Sequence, residues 1–578
     1  MIKKLAKSIR EYTKPAILTP IIVLFEVIFE CIIPFIVALL IDSIEKGGGL
    51  ASIAKYGSIL IVLAILSLLC GAFAGKFCAI ASSGYAKNLR KDIFEKIQSF
   101  AFENIDKFQA SSLVTRITTD VNNVQMSFMM IIRTAVRSPF MLIFSFVMGF
   151  VMGGSIALIY LFVIPILAFG IMMIAKKALP LFRKVFKKYD NLNNSVQENV
   201  QGMRVVKSFV REDYEISKFG KAAKDVCNDF TKAERILAWS HPIMQFCLYS
   251  IMIFILTFGS YVVVKGAGAD VSVSQLSALL TYGFQILSSL MMISMIYVML
   301  TMSTESAERI CEVLDESSKI TNPENPKMEV ENGSIDFENV SFNYGTSKTI
   351  LHNINLHIKS GETIGIIGGT GSAKTTLIQL ISRLYDVTEG KVLVGGVDVR
   401  NYDLDVLRNQ VAVVLQKNIL FSGTIKENLR WGKEDATDQE MIEVCKLAQA
   451  DDFIKGFPNG YDTYIEQGGA NVSGGQKQRL CIARALLKQP KIIIFDDSTS
   501  AVDTRTDALI RKGLREYIPS TTKIIIAQRI SSVQDADRII VMNNGEIEGI
   551  GTHDELMQTN KVYREVYESQ NKVGDDNE

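Results

Sequence analysis

The stretch IGIIGGTGSAKTTL, residues 364–377, decides the fold. Its apolar start, 364–367, reads as a buried strand; glycines follow, then Lys374, Thr375 and Thr376, then an apolar periodic segment that reads as a helix. A strand, a glycine loop and a helix in that order suit a phosphate, because the loop's backbone N–H groups and the helix N-terminus both attract anions. The loop runs Gly368, Gly369, Thr370, Gly371, Ser372, Ala373. Lys374 is expected to reach the β- and γ-phosphates of ATP, and the Thr375 hydroxyl to hold Mg²⁺. One position departs from the pattern: Ala373 stands where a glycine is expected, a methyl where the backbone usually runs bare. The plain alternative is a glycine-rich turn in an unrelated α/β protein, and the rest of the chain speaks against it.

At 578 residues the chain exceeds a single core. Its 48 % hydrophobic content is uneven, with long apolar runs in the first half and an ordinary soluble pattern in the second. A net charge of +1 gives no hint of a nucleic-acid partner. Eight cysteines lack paired spacing and four histidines are dispersed, so neither a disulfide framework nor a metal cluster is expected. The basic start MIKKLAKSIREYTK leads into an apolar stretch too long for a signal core, and no cleavable signal peptide is expected.

A helix needs about 20 apolar residues to cross the hydrocarbon. Six segments qualify, near 17–41, 57–80, 128–150, 152–175, 240–265 and 275–302. The stretches 81–127 and 176–239 are long, helical in pattern and rich in Lys and Arg. The positive-inside rule places them in the cytoplasm together with both termini, in a multi-pass protein of a cell membrane. Glu26, Glu30, Lys76, Arg133 and Arg137 lie within or beside the spans. They line a polar substrate path, or the spans run past the bilayer and the charges meet water. Water is the favoured reading for Lys76, Arg133 and Arg137; for Glu26 and Glu30 neither is. The Met-rich stretch 291–302 reads equally as an adaptable binding surface and as ordinary helix packing. Short transverse pieces are expected near 104–112 and 205–212, at the ends of the cytoplasmic loops.

From residue 335 short β-branched runs alternate with helices. Tyr344 offers a ring for stacking on adenine, and Gln416 ends the run VAVVLQ. Ser473, Gly474, Gly475 and Gln476 give a hydroxyl and bare N–H groups at a helix start, a second anion site. The apolar run 492–495 ends in Asp496, whose carboxylate emerges at a sheet edge where it can hold Mg²⁺. Two phosphate-binding surfaces that cannot close on one another suggest face-to-face pairing of two such domains.

In this order these features resemble the ATP-binding-cassette (ABC) exporters, over essentially the whole chain from the N-terminal elbow to GTHDEL at 551–556. The resemblance implies an α-helical membrane domain of six transmembrane helices fused to an α/β P-loop nucleotide-binding domain. It divides the chain into 1–307, a connector at 308–332, and 333–578. By resemblance the two cytoplasmic loops end in coupling helices, 368–376 is the Walker A loop and Gln416 the Q-loop, a further Mg²⁺ ligand. Residues 472–476 are then the signature, Asp496 the Walker B acid and 500–503 the D-loop.

Three departures meet at one active site. The family's catalytic base after Walker B is glutamate and here is Asp497; its switch histidine is here Gln528; and Ala373 replaces the last Walker A glycine. Binding of ATP and Mg²⁺ is expected to survive and hydrolysis to be crippled, while the signature is intact. The chain is therefore expected to pair with a second half-transporter bearing the glutamate and histidine. In this it resembles the degenerate-site subunit of bacterial heterodimeric multidrug exporters, translocases that hydrolyse ATP to export amphipathic compounds in contact with membrane lipid. The alternatives are a homodimeric lipid flippase or peptide exporter, or an ATP-gated or regulatory membrane protein. No peptidase-like segment is expected ahead of the elbow, which weighs against a self-processing peptide exporter.

Overall fold

A computed structural model describes residues 1–265, 271–345, 348–497 and 502–575. The chain divides into two compact units, Met1–Ser99 with Phe108–Glu316, and Phe100–Lys107 with Ser317–Glu578.

The first unit is helical. Its main elements are α1 (Thr13–Glu45) and α2 (Leu50–Gln98); α3 (Phe102–Phe108) follows in the chain, falling almost wholly within the segment Phe100–Lys107 of the other unit. Then come α4 (Val121–Ile132), α5 (Thr134–Gly153), α6 (Leu158–Gln201), α7 (Met203–Ser208), α8 (Glu212–Leu237), α9 (Ser240–Phe254) and α10 (Val273–Asp315). At 1.5 Å per residue, the 49 residues of α2 extend about 74 Å, more than twice the hydrocarbon thickness.

Five helical runs among the described residues are long and apolar enough to cross a membrane, where six segments were expected. The difference lies in Ala110–Phe182, a run of 73 residues that contains both the third and the fourth expected spans. It is interrupted at Gly154, whose φ of +50° is left-handed. Across that break a Cβ on Gly149 would lie 2.7 Å from the Tyr160 ring. Eleven residues of straight helix would separate the two by about 16 Å, so the chain turns back there.

Polar groups of this unit are tied across helices. The buried Tyr160 and Tyr282 hydroxyls donate to the carbonyls of Leu279 and Cys31, at 2.5 and 2.8 Å. Fully buried Asp120 accepts two hydrogen bonds from the Arg309 guanidinium. Arg137, expected in water, instead reaches Glu26 and Glu30. The short helices α3 and α7 stand where the transverse pieces were expected, each starting two residues earlier.

The second unit is built on sheets. β1 (Ile335–Phe342), β2 (Leu351–Ile358), β4 (Glu389–Val394) and β5 (Val397–Asp398) form an antiparallel sheet in the order β2-β1-β4-β5; β3 (Thr363–Gly368) belongs elsewhere. The main sheet also takes β6 (Val411–Val414), β9 (Ile492–Asp496), β10 (Thr522–Ile526), β11 (Arg538–Asn543) and β12 (Glu546–Gly551), in the order β12-β11-β3-β10-β9-β6. β7 (Gly423–Thr424) and β8 (Tyr464–Ile465) pair separately. All neighbours in the main sheet are parallel except β11 and β12. Its inner strands are largely apolar, as strands covered on both faces must be, and every residue of β9 and β10 is buried, Asp496, Thr522 and Lys523 included.

Candidate functional site

Four adjacent parallel strands, β3, β10, β9 and β6, deliver the site, because their C-terminal ends share one sheet edge. Register aligns them: Ile526 of β10 lies beside Ile366 of β3 and Asp496 of β9, and Val414 of β6 lies beside Phe495. The chain leaves β3 into the glycine loop, β9 into Asp497, β10 into Gln528 and β6 into Gln416. Gln416 does not end its strand as the sequence suggested. β6 stops at Val414, and Gln416 follows two residues later, where the chain can turn across the edge.

The loop after β3 opens α11 (Lys374–Ile381). Gly368 is required by packing: a Cβ would stand 2.2 Å from the Met542 carbonyl oxygen. At Gly369 and Gly371 a Cβ would meet nothing within 4 Å, so the loop's outer side is an open cradle. Lys374 Nζ donates to the carbonyls of Gly368 and Gly369, both at 2.8 Å, and to Ser372 Oγ at 3.3 Å. Burial lowers the Lys374 ammonium pKa, against the pull of Asp496 and Asp497. Ala373 is left-handed, with φ 70° and ψ 22°, the conformation that favours glycine.

The Thr375 hydroxyl lies 3.1 Å from each carboxylate oxygen of Asp496. Burial raises the Asp496 carboxyl pKa, and Asp497 beside it adds to the rise. An open cradle, a lysine folded over it and a hydroxyl–carboxylate pair are the donor set that Mg²⁺ and a nucleotide phosphate need. Thr375 and Asp496 would hold the metal; Lys374, Ser372 and the first N–H groups of α11 would hold the phosphates.

Asp497, Gln416 and Gln528 meet. Asp497 Oδ2 accepts from the Gln528 amide at 2.8 Å and from the Gln416 amide at 3.2 Å. Asp497 is left-handed, with φ 47°, a region that aspartate tolerates better than most side chains.

Tyr344 is 41 % exposed, with its hydroxyl at 3.0 Å from Thr376 Oγ1 and 3.1 Å from Gln379 Oε1. The ring packs edge-on to Phe342 and Tyr385, at 4.8 and 5.1 Å between centroids. Tyr385 donates its hydroxyl to Asp106 at 2.5 Å. Gln379, Tyr385 and Asp106 were not picked from sequence, and no motif marks them.

Ser473 caps α12 (Gly474–Leu487) in a reciprocal box: its hydroxyl accepts from Gln476 N at 3.3 Å, and Gln476 Oε1 accepts from Ser473 N at 2.9 Å. The hydroxyl hydrogen remains available, beside the bare backbone of Gly474 and Gly475. Of the expected D-loop, Ser500 and its neighbour 501 lie outside the described residues, while Asp503 caps α13 (Thr504–Tyr517) by accepting from Thr506 N.

The family model of the ABC transporter transmembrane region matches residues 17–291, and that of the ABC transporter matches 351–500. The chain is 33 % identical to a protein named ATP-dependent lipid A-core flippase from Desulfotalea psychrophila, covering 84 % of each chain. It is 30 % identical to the putative multidrug export ATP-binding/permease protein YgaD of Bacillus subtilis, covering 99 % of each. Its fold matches the solved structure of a bacterial Atm1-family ABC exporter with ATP bound, at a TM-score of 0.83 and 23 % identity, over 97 % of this chain and 98 % of that one.

Proposed function

The chain belongs to the ABC transporter family, an exporter chain with one transmembrane region and one ATPase domain, and from that premise we propose that it is the hydrolysis-impaired half of an asymmetric pair exporting amphipathic compounds. What carries the reading is the contact among Gln416, Asp497 and Gln528. A catalytic base needs free lone pairs aimed at a water. Asp497 is one methylene shorter than glutamate, and two side-chain amides already occupy its Oδ2. Gln528 donates a hydrogen bond but carries neither a proton for transfer nor a positive charge.

ATP binding uses groups that are all in place. Lys374, Ser372 and the N-terminus of α11 receive phosphate, Thr375 and Asp496 hold Mg²⁺, and Tyr344 supports the base. Bound Mg²⁺ neutralises phosphate charge. This chain's capped Ser473 faces the partner's nucleotide, so the partner's site turns over while this one holds ATP and keeps the domains together. The spans pass through a cell membrane with both termini in the cytoplasm, supported by the basic stretches between them.

The test is to co-purify this chain with a half-transporter carrying the glutamate and histidine, then compare two variants of this chain. Ser473→Ala, which strikes the partner's site, is expected to lower the pair's ATPase at least tenfold. Asp497→Asn, which strikes only the base position of this chain's own site and leaves its ATP-binding groups intact, is expected to lower it less than threefold. Equal losses would identify two equivalent sites and overturn the asymmetry.

A further inference from the structure

The C-terminal helix of the second unit grips the loop that carries Gln528. That helix, α14 (Lys561–Asp575), is anchored by Tyr563, which is fully buried in the core, while Val566 and Tyr567 pack against the same cluster. The Tyr563 hydroxyl and His553 Nδ1 share a hydrogen bond at 2.8 Å. Tyr563, Tyr567 and Gln570 follow one another at helical spacing, so all three stand on one face. Gln570 Oε1 accepts from the backbone N–H of Ile530 at 2.9 Å, and its Nε2 donates to the carbonyl of Gln528 at 2.8 Å. The amide fits only this way round, because its oxygen must meet the N–H and its nitrogen the carbonyl.

Both bonds fall on the segment that leaves the sheet for the cleft. β10 ends at Ile526, and the chain passes through Gln528 and Arg529 into a short 3₁₀ turn, Ile530–Ser532. Arg529 makes no side-chain cap for that turn, and Gln570 satisfies its first N–H instead. Ile530 and Val533 lie in the cluster that Tyr563 belongs to, so turn and helix share one core. The backbone of Gln528 is thus held from α14, while its side chain donates to Asp497 Oδ2 at 2.8 Å. Asp497 adjoins Asp496, the acid assigned to Mg²⁺, which puts Gln528 at the terminal-phosphate end of the cradle. A hydrogen bond weakens steeply as its angle opens, so the aim of the Gln528 amide depends on where its backbone is held.

We propose that Gln570 is a positioning residue of the nucleotide site: through the backbone of Gln528 it aims that side chain, and the C-terminal helix thereby sets how well the site tells three phosphates from two. The proposal rests on the ATP-binding reading of this site and not on the asymmetry of the pair. The full chain in lipid nanodiscs is titrated with AMP-PNP and with ADP, each with Mg²⁺, by displacement of a fluorescent nucleotide. Gln570→Met, which keeps the length and loses both bonds, is expected to lower the preference for AMP-PNP over ADP at least about fivefold, the effect of one misplaced hydrogen bond. Gln570→Glu, which keeps the acceptor for Ile530 and loses the donor to Gln528, is expected to do the same. In a Gln528→Ala background neither change should alter the preference, because the group they aim is gone; a purely structural loss would persist there. A preference that both Gln570 variants leave unchanged, or lower equally with and without Gln528, overturns the proposal and leaves ATP binding standing. A Gln528→Ala chain with the wild-type preference does the same. A wild-type chain that binds neither nucleotide removes the ATP-binding reading and this inference with it.

Discussion

Replacing Asp497 by glutamate, alone and with Gln528→His, asks whether a short, doubly occupied carboxylate is what deprives the cleft of hydrolysis. Aspartate falls about 1 Å short of glutamate's reach, and a shift of that size costs roughly 10²-fold in rate. Two amides hold Asp497 Oδ2, at 2.8 and 3.2 Å, and use the lone pairs of that oxygen. Asp497→Glu is therefore expected to raise this site's turnover about 10²-fold, or about 2.7 kcal/mol of barrier. Gln528→His alone is expected to change little, because the base stays short, and the double variant should exceed the single. The backbone opposes the change slightly: φ is 47° at this position, and a glutamate there costs up to about 1 kcal/mol of folding stability. The assay is phosphate release by the purified chain, with Lys374→Ala as the zero and a thermal melt to check folding. A folded, ATP-binding Asp497→Glu chain whose rate rises less than twofold would refute the reasoning.

Ala373→Gly relieves a left-handed alanine at φ 70° and should stabilise the chain by about 0.5–1 kcal/mol net of glycine's entropy, read in a denaturant or thermal melt. The Asp496 pKa is raised by burial, so Mg²⁺-dependent ATP binding should hold above that raised value and fall away as pH drops through it, sooner than for an exposed aspartate. Asp496→Asn should flatten that profile in a fluorescent-nucleotide titration run from neutral into acid pH. Tyr385→Phe removes the hydroxyl held 2.5 Å from Asp106 and should cost the second unit about 1 kcal/mol, measured in the same melt.

What the sequence made legible was local or periodic. The run 364–377 gave strand, loop and helix because apolar period, glycine and lysine fall within fourteen consecutive positions, and β3 and α11 stand there. Asp496 was readable because four apolar residues before an acid make a buried strand whose carboxylate stands at the sheet's C-terminal edge. Ser473 was readable because a hydroxyl and two glycines stand at a helix start. Contacts between distant positions were not readable. Arg137 was assigned to water from its neighbours along the chain, yet it pairs with Glu30, 107 positions away. The bond from Tyr385 to Asp106 spans 279 positions. Backbone strain was equally silent: nothing in the letters marks Ala373 or Asp497 as left-handed. The turn at Gly154 falls within a few residues of the boundary expected between the spans 128–150 and 152–175.

Steady-state ATPase of the purified chain, alone and with a partner bearing the glutamate, tests the central claim most directly. A chain that binds ATP but is nearly inactive alone, and a pair whose activity disappears when the partner's glutamate becomes glutamine, is the predicted result. Turnover by the lone chain at the rate of an ordinary exporter would show Asp497 and Gln528 to be competent and would contradict the asymmetric assignment.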